Sequence, residues 1–342
     1  MRAVRIHAHG GPEVLKLEDL PDPVPGPGQV LIRVRAASIN HLDLFVRRGM
    51  PGVRIPLPRV PGSDAAGEVA ALGAGVTRFK AGDRVLVNPG ASCGCCAFCR
   101  GGRDSLCLEY HLLGEHGDGT DAGLVAVPER IVHPIPAGLS FDQAAAFPLT
   151  GLTAWSMLVG KARVQPGEDV LIVGAGAGVG VMAIQIAKLC GARVFATAGT
   201  DEKLEKCQTL GADVLINHAR SPFDKAVRET TAKRGVDVVM DYVGKETWQQ
   251  SLRATVRGGR IVTCGASTGF DPVEDLRHVF FRQLSILGST MGSAKEFADL
   301  MAAVASGKLK PVVDRAMPLE QVAEAHRLLE ARRVFGKLIL NP

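Results

Sequence analysis

Five cysteines crowd into residues 93–107, which read CGCCAFCRGGRDSLC. Four of them, Cys93, Cys96, Cys99 and Cys107, follow the spacing Cys-x2-Cys-x2-Cys-x7-Cys. Thiolates so spaced converge on one tetrahedral ion if the chain between them turns sharply, and Gly94, Gly101 and Gly102 permit such turns. Four sulfur ligands leave zinc no open position, so the predicted chemistry is structural, an ion that folds a lobe. Disulfide pairing or free thiols is the competing reading. Clustered cysteines in a chain without a secretory leader favour metal over it. Cys95 is a fifth thiol within the cluster and is expected to be an exposed bystander.

A second stretch with chemical content is Gly174-Ala175-Gly176-Ala177-Gly178-Val179-Gly180, set between the apolar run Asp169–Val173 and the apolar segment Val181–Leu189. A glycine-rich turn between strand and helix lets backbone amides approach a pyrophosphate, and the helix N-terminus adds partial positive charge. The spacing departs from G-x-G-x-x-G, with Ala175 and Ala177 at the first two fingerprint positions and Gly180 at the third. An acidic residue at the end of the second strand would select a free ribose 2′-hydroxyl. That position is Ala198. Small residues there make room for a 2′-phosphate, which Thr200, Lys203 and His218 are placed to hold, so NADP is expected over NAD. Asp201 and Glu202 lie close by and keep NAD open as the alternative.

The elements that must position these groups fall into two textures. A length of 342 residues exceeds what one core comfortably serves, so two domains are expected. The first third has short β-branched runs, Val30–Val34, Gly67–Ala71, Arg84–Val87 and Gly123–Val127, punctuated by glycine and proline, which suggests a compact, partly closed β-structure. From about Phe147 strand-like runs alternate with helical ones: Arg193–Ala198, Val214–Asn217, Val236–Asp241, Arg260–Cys264 and Ser285–Ser289. That alternation predicts a parallel sheet with right-handed crossovers. Amphipathic helices over Ala294–Ser306 and Leu319–Ala331 and a strand over Gly336–Leu340 close the chain.

Composition narrows the class. Hydrophobic content of 46% with 22% charged residues fits a globular protein, and no apolar run is long enough for a signal peptide or a membrane span. A cytoplasmic setting with reduced thiols is expected. The formal net charge of +5 comes from scattered Lys and Arg, and aromatics are only 5%, so a nucleic-acid partner is disfavoured.

Gly62-Ser63-Asp64-Ala65-Ala66-Gly67-Glu68-Val69, Gly82-Asp83-Arg84-Val85, the Cys lobe, the glycine turn and Ser285–Ser289 occur in an order that resembles the medium-chain dehydrogenase/reductase superfamily, the zinc-type alcohol dehydrogenases and quinone reductases. The resemblance spans essentially the whole chain. It implies an α/β architecture: a GroES-like β-rich catalytic domain from residues 1–146 and 289–342, carrying the zinc lobe 93–107, and a Rossmann domain with a doubly wound parallel sheet over 147–288. It also implies a small-molecule substrate in the cleft between them, and a homodimer, or dimer of dimers, joined through the last Rossmann strand near Ser285–Ser289.

Departures from the family pattern carry the functional expectation. The three positions that bind a catalytic zinc in alcohol dehydrogenases fall at Asn40, Ser63 and about Ala146, and an amide, a hydroxyl and a methyl do not replace thiolate, imidazole and thiolate. The proton-relaying hydroxyl of those enzymes falls at Leu42. One structural zinc is therefore expected, and none at the reaction centre. Asp43 and Asp64 with His41 would make a poor zinc site, because hard oxygen donors suit that ion badly. Asn40, His41 and Asp64 are the residues expected at the reaction centre, with Asn40 donating to a carbonyl oxygen as in zinc-free quinone reductases. Phe45 replaces the usual tyrosine, which leaves water or His41 for the final proton; a plain hydrogen-bonded His41 is the alternative. The resemblance places Thr150 and Lys337 at the cofactor, Lys337 on its phosphates, with a solvated strand-start lysine as the other reading. Phe45 and Trp155 line either an apolar substrate pocket or core. The preferred reading is an NADPH-dependent reductase of quinones or α,β-unsaturated carbonyls. A zinc-containing alcohol dehydrogenase is the enzyme alternative, and an NADPH-binding structural or nucleic-acid-binding protein with little turnover is the alternative of another class.

Overall fold

The computed structural model describes all 342 residues. Along the chain come strands β1 (Arg2–Arg5), β2 (Lys16–Asp19) and β3 (Gln29–Ser38), helix α1 (His41–Arg48), then β4 (Asp64–Leu72), β5 (Arg84–Val87) and β6 (Gly90–Ala91). Short helix α2 (Ala97–Arg100), strands β7 (His111–Leu112), β8 (Leu124–Pro128) and β9 (Val132–Pro134), and helices α3 (Phe141–Ala145) and α4 (Pro148–Trp155) follow. The alternating region runs β10 (Asp169–Ile172), α5 (Gly178–Leu189), β11 (Arg193–Ala198), α6 (Asp201–Thr209), β12 (Val214–Asn217), α7 (Phe223–Thr230), β13 (Val236–Met240), α8 (Trp248–Ala254), β14 (Thr255–Thr263), α9 (Leu276–Arg282) and β15 (Ser285–Gly288). Helix α10 (Ala294–Ala305), β16 (Val313–Pro318), α11 (Val322–Glu330) and β17 (Lys337–Asn341) complete it. No helix is long and apolar enough to cross a membrane.

Two compact units result, one from residues 1–149 with 311–342 and the other from 150–310. In the first, a mixed sheet has the order β16-β17-β3-β4-β5-β9, with β8 also on β3. β3 is the axis of this GroES-like sheet. It is ten residues long, more than its β-branched run Val30–Val34 suggests, because β4, β8 and β17 supply hydrogen-bonding partners along its whole length. Buried Val30, Ile32, Val34, Val69, Val85, Val87, Val125 and Val127 form its core. The pairing of β17 with β3 matters for the site: Ile339 faces Ser38 and Leu340 faces Ala37 in antiparallel register. Continuing that register by two residues sets Lys337 beside Asn40.

The second unit is the Rossmann-like one. Its sheet is wholly parallel in the order β12-β11-β10-β13-β14-β15, so the order reverses at β10, where the glycine turn leaves the sheet. In open α/β sheets that reversal is where ligands bind, outside the carboxyl ends of the strands. The fully buried run Val170–Ile172 and the buried face of α5, Val181–Ala187, lock turn and helix onto the sheet. β15 ends the sheet as an edge strand, with Ile286 exposed. The stretch before it, with α9, had no periodicity to mark it and leaves Phe270, Leu276, Phe280 and Phe281 at the surface.

Candidate active site

Asn40 lies two residues beyond the end of β3 and serves as the N-cap of α1 in an extended conformation. A cap residue normally spends its side chain on the first-turn amides. Here Asp43, three residues on, accepts a hydrogen bond from the Asn40 amide N–H at 2.7 Å and holds that end of the helix. The Asn40 side chain is thereby turned inward, where only 4% of the residue is exposed. Its Oδ1 accepts from the Lys337 ammonium, and its Nδ2 donates to Asp64 Oδ2 at 2.9 Å and, more weakly, to the Ser38 carbonyl at 3.4 Å. An ammonium only donates and a carboxylate only accepts, so the two neighbours agree on one orientation of the amide. Flipping it would forfeit two charge-assisted bonds of about 1.5–3 kcal/mol each.

Asp64 is the hub. Its Oδ1 accepts the Leu149 amide N–H at 2.8 Å, and its Oδ2 accepts the Ser38 hydroxyl at 3.0 Å besides Asn40 and Lys337. Lys337 Nζ donates to the Ile39 carbonyl at 2.8 Å and lies 3.5 Å from Asp64 Oδ2. Three buried carboxylates, Asp43, Asp64 and Asp121, surround this one ammonium. Burial pushes Asp43 up to about 7, against the pull of the Asn40 amide and of Lys337. Burial also raises Asp121 well above the usual carboxylate range, with Asp43 adding to the effect, and neither of its oxygens has a hydrogen-bond partner. Gly62, at φ +96°, is compulsory beside it: a Cβ there would lie 2.5 Å from Asp121 Oδ1. Lys337 is lowered by burial, with Asp64 and Asp43 opposing.

Of the residues expected at the reaction centre, Asn40 and Asp64 touch directly, and His41 follows at the start of α1 with an exposed surface. Packing around its ring, then the charges of Lys337, Arg332 and Arg48, lower the His41 pKa below its ordinary value, although the residue keeps an exposed face. Lys337, expected on cofactor phosphates, is only 3% exposed and faces Asn40. Asp121 and the bonding role of Lys337 escaped the sequence reading. Asp43 carried a usable signal, its place three residues after a cap. The positions matching catalytic zinc ligands do not suit that ion. The Asn40 oxygen is held by an ammonium, the Ser63 hydroxyl donates to the Leu113 carbonyl at 2.9 Å, and Ala146 has only a methyl.

In the parallel-sheet unit, Gly174 takes φ +76°, and its N–H and that of Ala175 are held by Thr197, through Oγ1 at 3.1 Å and the carbonyl at 2.8 Å. Tyr242 donates its hydroxyl to the Gly174 carbonyl at 2.7 Å. Ala177 is an extended N-cap with no capping side chain, so α5 opens with Gly178, Val179 and Gly180 amides suited to an anion. A Cβ on Gly180 would lie 2.6 Å from the Ala175 carbonyl oxygen, which fixes glycine where helix meets turn. Gly176 lies within the same turn. At the ends of β11 and β12, Ala198 accepts the His218 N–H at 3.1 Å, and Thr200 caps α6 by accepting the Lys203 N–H at 3.3 Å. Asp201 is engaged by Asn217 at 2.7 Å and by Arg220. Ala198, Thr200, Lys203 and His218 thus share one corner, while Thr150 stands apart, buried in α4.

The cysteine lobe matches a metal geometrically. Sγ atoms of Cys93, Cys96, Cys99 and Cys107 all lie within 4.8 Å of one another, with the Cys93–Cys107 and Cys96–Cys99 pairs at 3.5 Å and Cys93–Cys99 at 3.8 Å. Zinc–sulfur bonds of about 2.3 Å in a tetrahedron require sulfurs roughly 3.8 Å apart. Amides of Cys95 and Cys96 hold the Cys93 thiol down at about 6, as a ligand thiolate needs. Cys95 is exposed and outside the set of four.

The profile described as "Alcohol dehydrogenase GroES-like domain" matches residues 26–137, and that described as "Zinc-binding dehydrogenase" matches residues 178–306. A human quinone oxidoreductase is 34% identical over 348 residues, covering 99% of this chain and 97% of its own. An NAD-dependent alcohol dehydrogenase of Sulfurisphaera tokodaii is 34% identical over 351 residues, covering all of both chains. A solved structure described as an NAD-dependent alcohol dehydrogenase superposes with a TM-score of 0.96 at 52% identity, again over the whole of both chains.

Proposed function

The chain belongs to the medium-chain dehydrogenase/reductase superfamily and is an NAD(P)-dependent oxidoreductase, and from that premise we propose that it reduces quinones or α,β-unsaturated carbonyls with NADPH and without a catalytic zinc. The observation that carries this reading is the donor set at Asn40, Ser63 and Ala146, which offers no thiolate or imidazole to a metal. Oxidising an unactivated alcohol demands loss of its proton, a step that a metal normally supports. A conjugated acceptor needs only hydrogen-bond donation to its developing enolate oxygen.

When bound, the dihydronicotinamide supplies the hydride. The chain does the rest. First-turn amides of α5 hold the pyrophosphate, with Ala175, Gly176 and Ala177 shaping the approach. Thr200, Lys203 and His218 take the 2′-phosphate beside Ala198, and the engagement of Asp201 by Asn217 and Arg220 keeps that carboxylate off a ribose hydroxyl. Thr150 adds a cofactor contact. Asn40 donates to the acceptor oxygen through the amide hydrogen that Ser38 holds only at 3.4 Å. Asp64 keeps that amide in place, and water supplies the final proton, since a neutral His41 is a poor acid. The four-cysteine lobe holds one structural zinc. A homodimer forms through the β15 edge and the exposed apolar side chains of α9. None of the eight cysteines is paired in a disulfide, which fits a reducing cytoplasm.

The identity of 52% to a structure described as an NAD-dependent alcohol dehydrogenase favours a second reading, NAD-linked alcohol oxidation. Steady-state assays separate the two: para-benzoquinone and a straight-chain enone with NADPH or NADH, against primary alcohols with NAD or NADP. NADPH-driven acceptor reduction should dominate by about tenfold or more in kcat/KM and survive a chelator. Alcohol oxidation lost on chelation while the protein stays folded would establish the second reading.

A further inference from the structure

We propose that the Lys337 ammonium stands in this site for a divalent cation: it fills an oxygen-lined position between Asn40 Oδ1, the Ile39 carbonyl and Asp64 Oδ2, sets the Asn40 amide, and keeps metal out. Every atom facing Nζ is oxygen, from an amide, a carbonyl and a carboxylate, the donor set of a hard cation. The ammonium is compact, carries three donors and finds three acceptors, so its bonding capacity is used. It arrives on β17 by strand register, from a position fixed on both sides by pairing with β16 and β3. A metal would have to displace a positive charge that is only 3% exposed.

Placement and charge both follow. Lys337 spends its three donors on Ile39, Asn40 and Asp64, so it works through Asn40: they compel Oδ1 inward, which points the amide N–H groups toward Asp64 and Ser38. Without it the amide loses the partner that distinguishes its two ends. Lys337 is therefore a positioning residue and differs in role from a phosphate-binding lysine, which would be read by the cofactor directly.

Two measurements on the full chain, carrying its lobe zinc, test this. The first is independent of turnover: Mn2+ binding followed by the electron spin resonance of the free ion. Lys337→Ala should bind one Mn2+ about tenfold or more tightly than the unaltered chain. Equal behaviour of the two proteins, whether both bind or neither does, overturns the cation-replacement claim. The second rests on the acceptor-reduction reading and uses para-benzoquinone with NADPH. Lys337→Met should lower kcat by about tenfold or more while the Kd for NADPH stays within about threefold, and Lys337→Arg should recover part of the rate. The charge-balanced Lys337→Met/Asp64→Asn protein covers the event that the single variant does not fold, and it too should stay slow. Near-normal kcat in that folded double variant, or a loss confined to NADPH affinity, overturns the positioning role. If the unaltered chain reduces no acceptor, the functional reading has failed, and the Mn2+ comparison still decides the inference.

Discussion

Lys337 and Asp64 form an ion pair 3.5 Å apart with side chains only 3% and 0% exposed, joining the last strand to the start of β4. Burying both charges is costly, but losing one of them is costlier, because the other stays desolvated without a partner. Asp64→Ala should therefore destabilise the first unit by about 3–5 kcal/mol. Lys337→Met/Asp64→Asn, which removes both charges, should recover most of that. Urea unfolding followed by circular dichroism checks both. A single variant that loses less than about 1 kcal/mol would mean that water reaches the pair.

The cysteine lobe gives a prediction of another kind. With all four sulfurs within 4.8 Å of one another, the pocket matches one tetrahedral ion, and the helix α2 that carries Cys99 is a single turn that cannot stand alone. Elemental analysis after exhaustive dialysis should find one zinc per chain in the unaltered protein and in Cys95→Ser, and next to none in Cys107→Ser. Limited proteolysis of Cys107→Ser should cut within residues 93–107. Retention of zinc by Cys107→Ser together with its loss from Cys95→Ser would mean that the ligand set is wrong.

What was legible in the sequence is what depends on near neighbours. The cysteines specify their lobe because all four ligands fall within one short segment, and the glycine turn is readable because Gly180 admits no Cβ against Ala175. The parallel strands announce themselves as apolar runs because helices cover both faces of the sheet. Lys337 resisted the same reading. A lysine at a strand start is ordinarily solvated, and its partner Asn40 lies 297 positions away in sequence, brought near only by the register of β17 on β3. Asp121 was invisible for a related reason: a lone carboxylate carries no local mark of burial, and its burial comes from distant segments such as that of Gly62 packing against it. The orientation of the Asn40 amide depended on both partners at once.

Asp43 ties stability to pH through its burial. Burial raises its pKa from 3.8 to about 7, so between those values the folded chain holds a proton that the unfolded chain has released. Stability contributed by this group is present in full below about pH 4, falls as the pH rises, and levels off above about 7. His41 and His326 act in the opposite direction, lowered to about 4 and about 3, because they must charge in the unfolded chain before the folded one as the pH falls below 6.5. The overall pH profile therefore mixes opposing slopes, and a difference is needed. Asp43→Asn keeps a carbonyl oxygen to accept the Asn40 N–H but cannot ionise. Asp64, Asp121 and Lys337, the charged groups coupled to Asp43, remain in both proteins. Relative to the unaltered chain, Asp43→Asn should gain roughly 2–3 kcal/mol in unfolding free energy between pH 5 and pH 8, with nearly all of the gain complete by pH 7. Urea titrations of both proteins across that range measure it. A difference that stays flat would show that Asp43 is ionised throughout, its carboxylate stabilised by Lys337 and the Asn40 amide at least as much as burial opposes it.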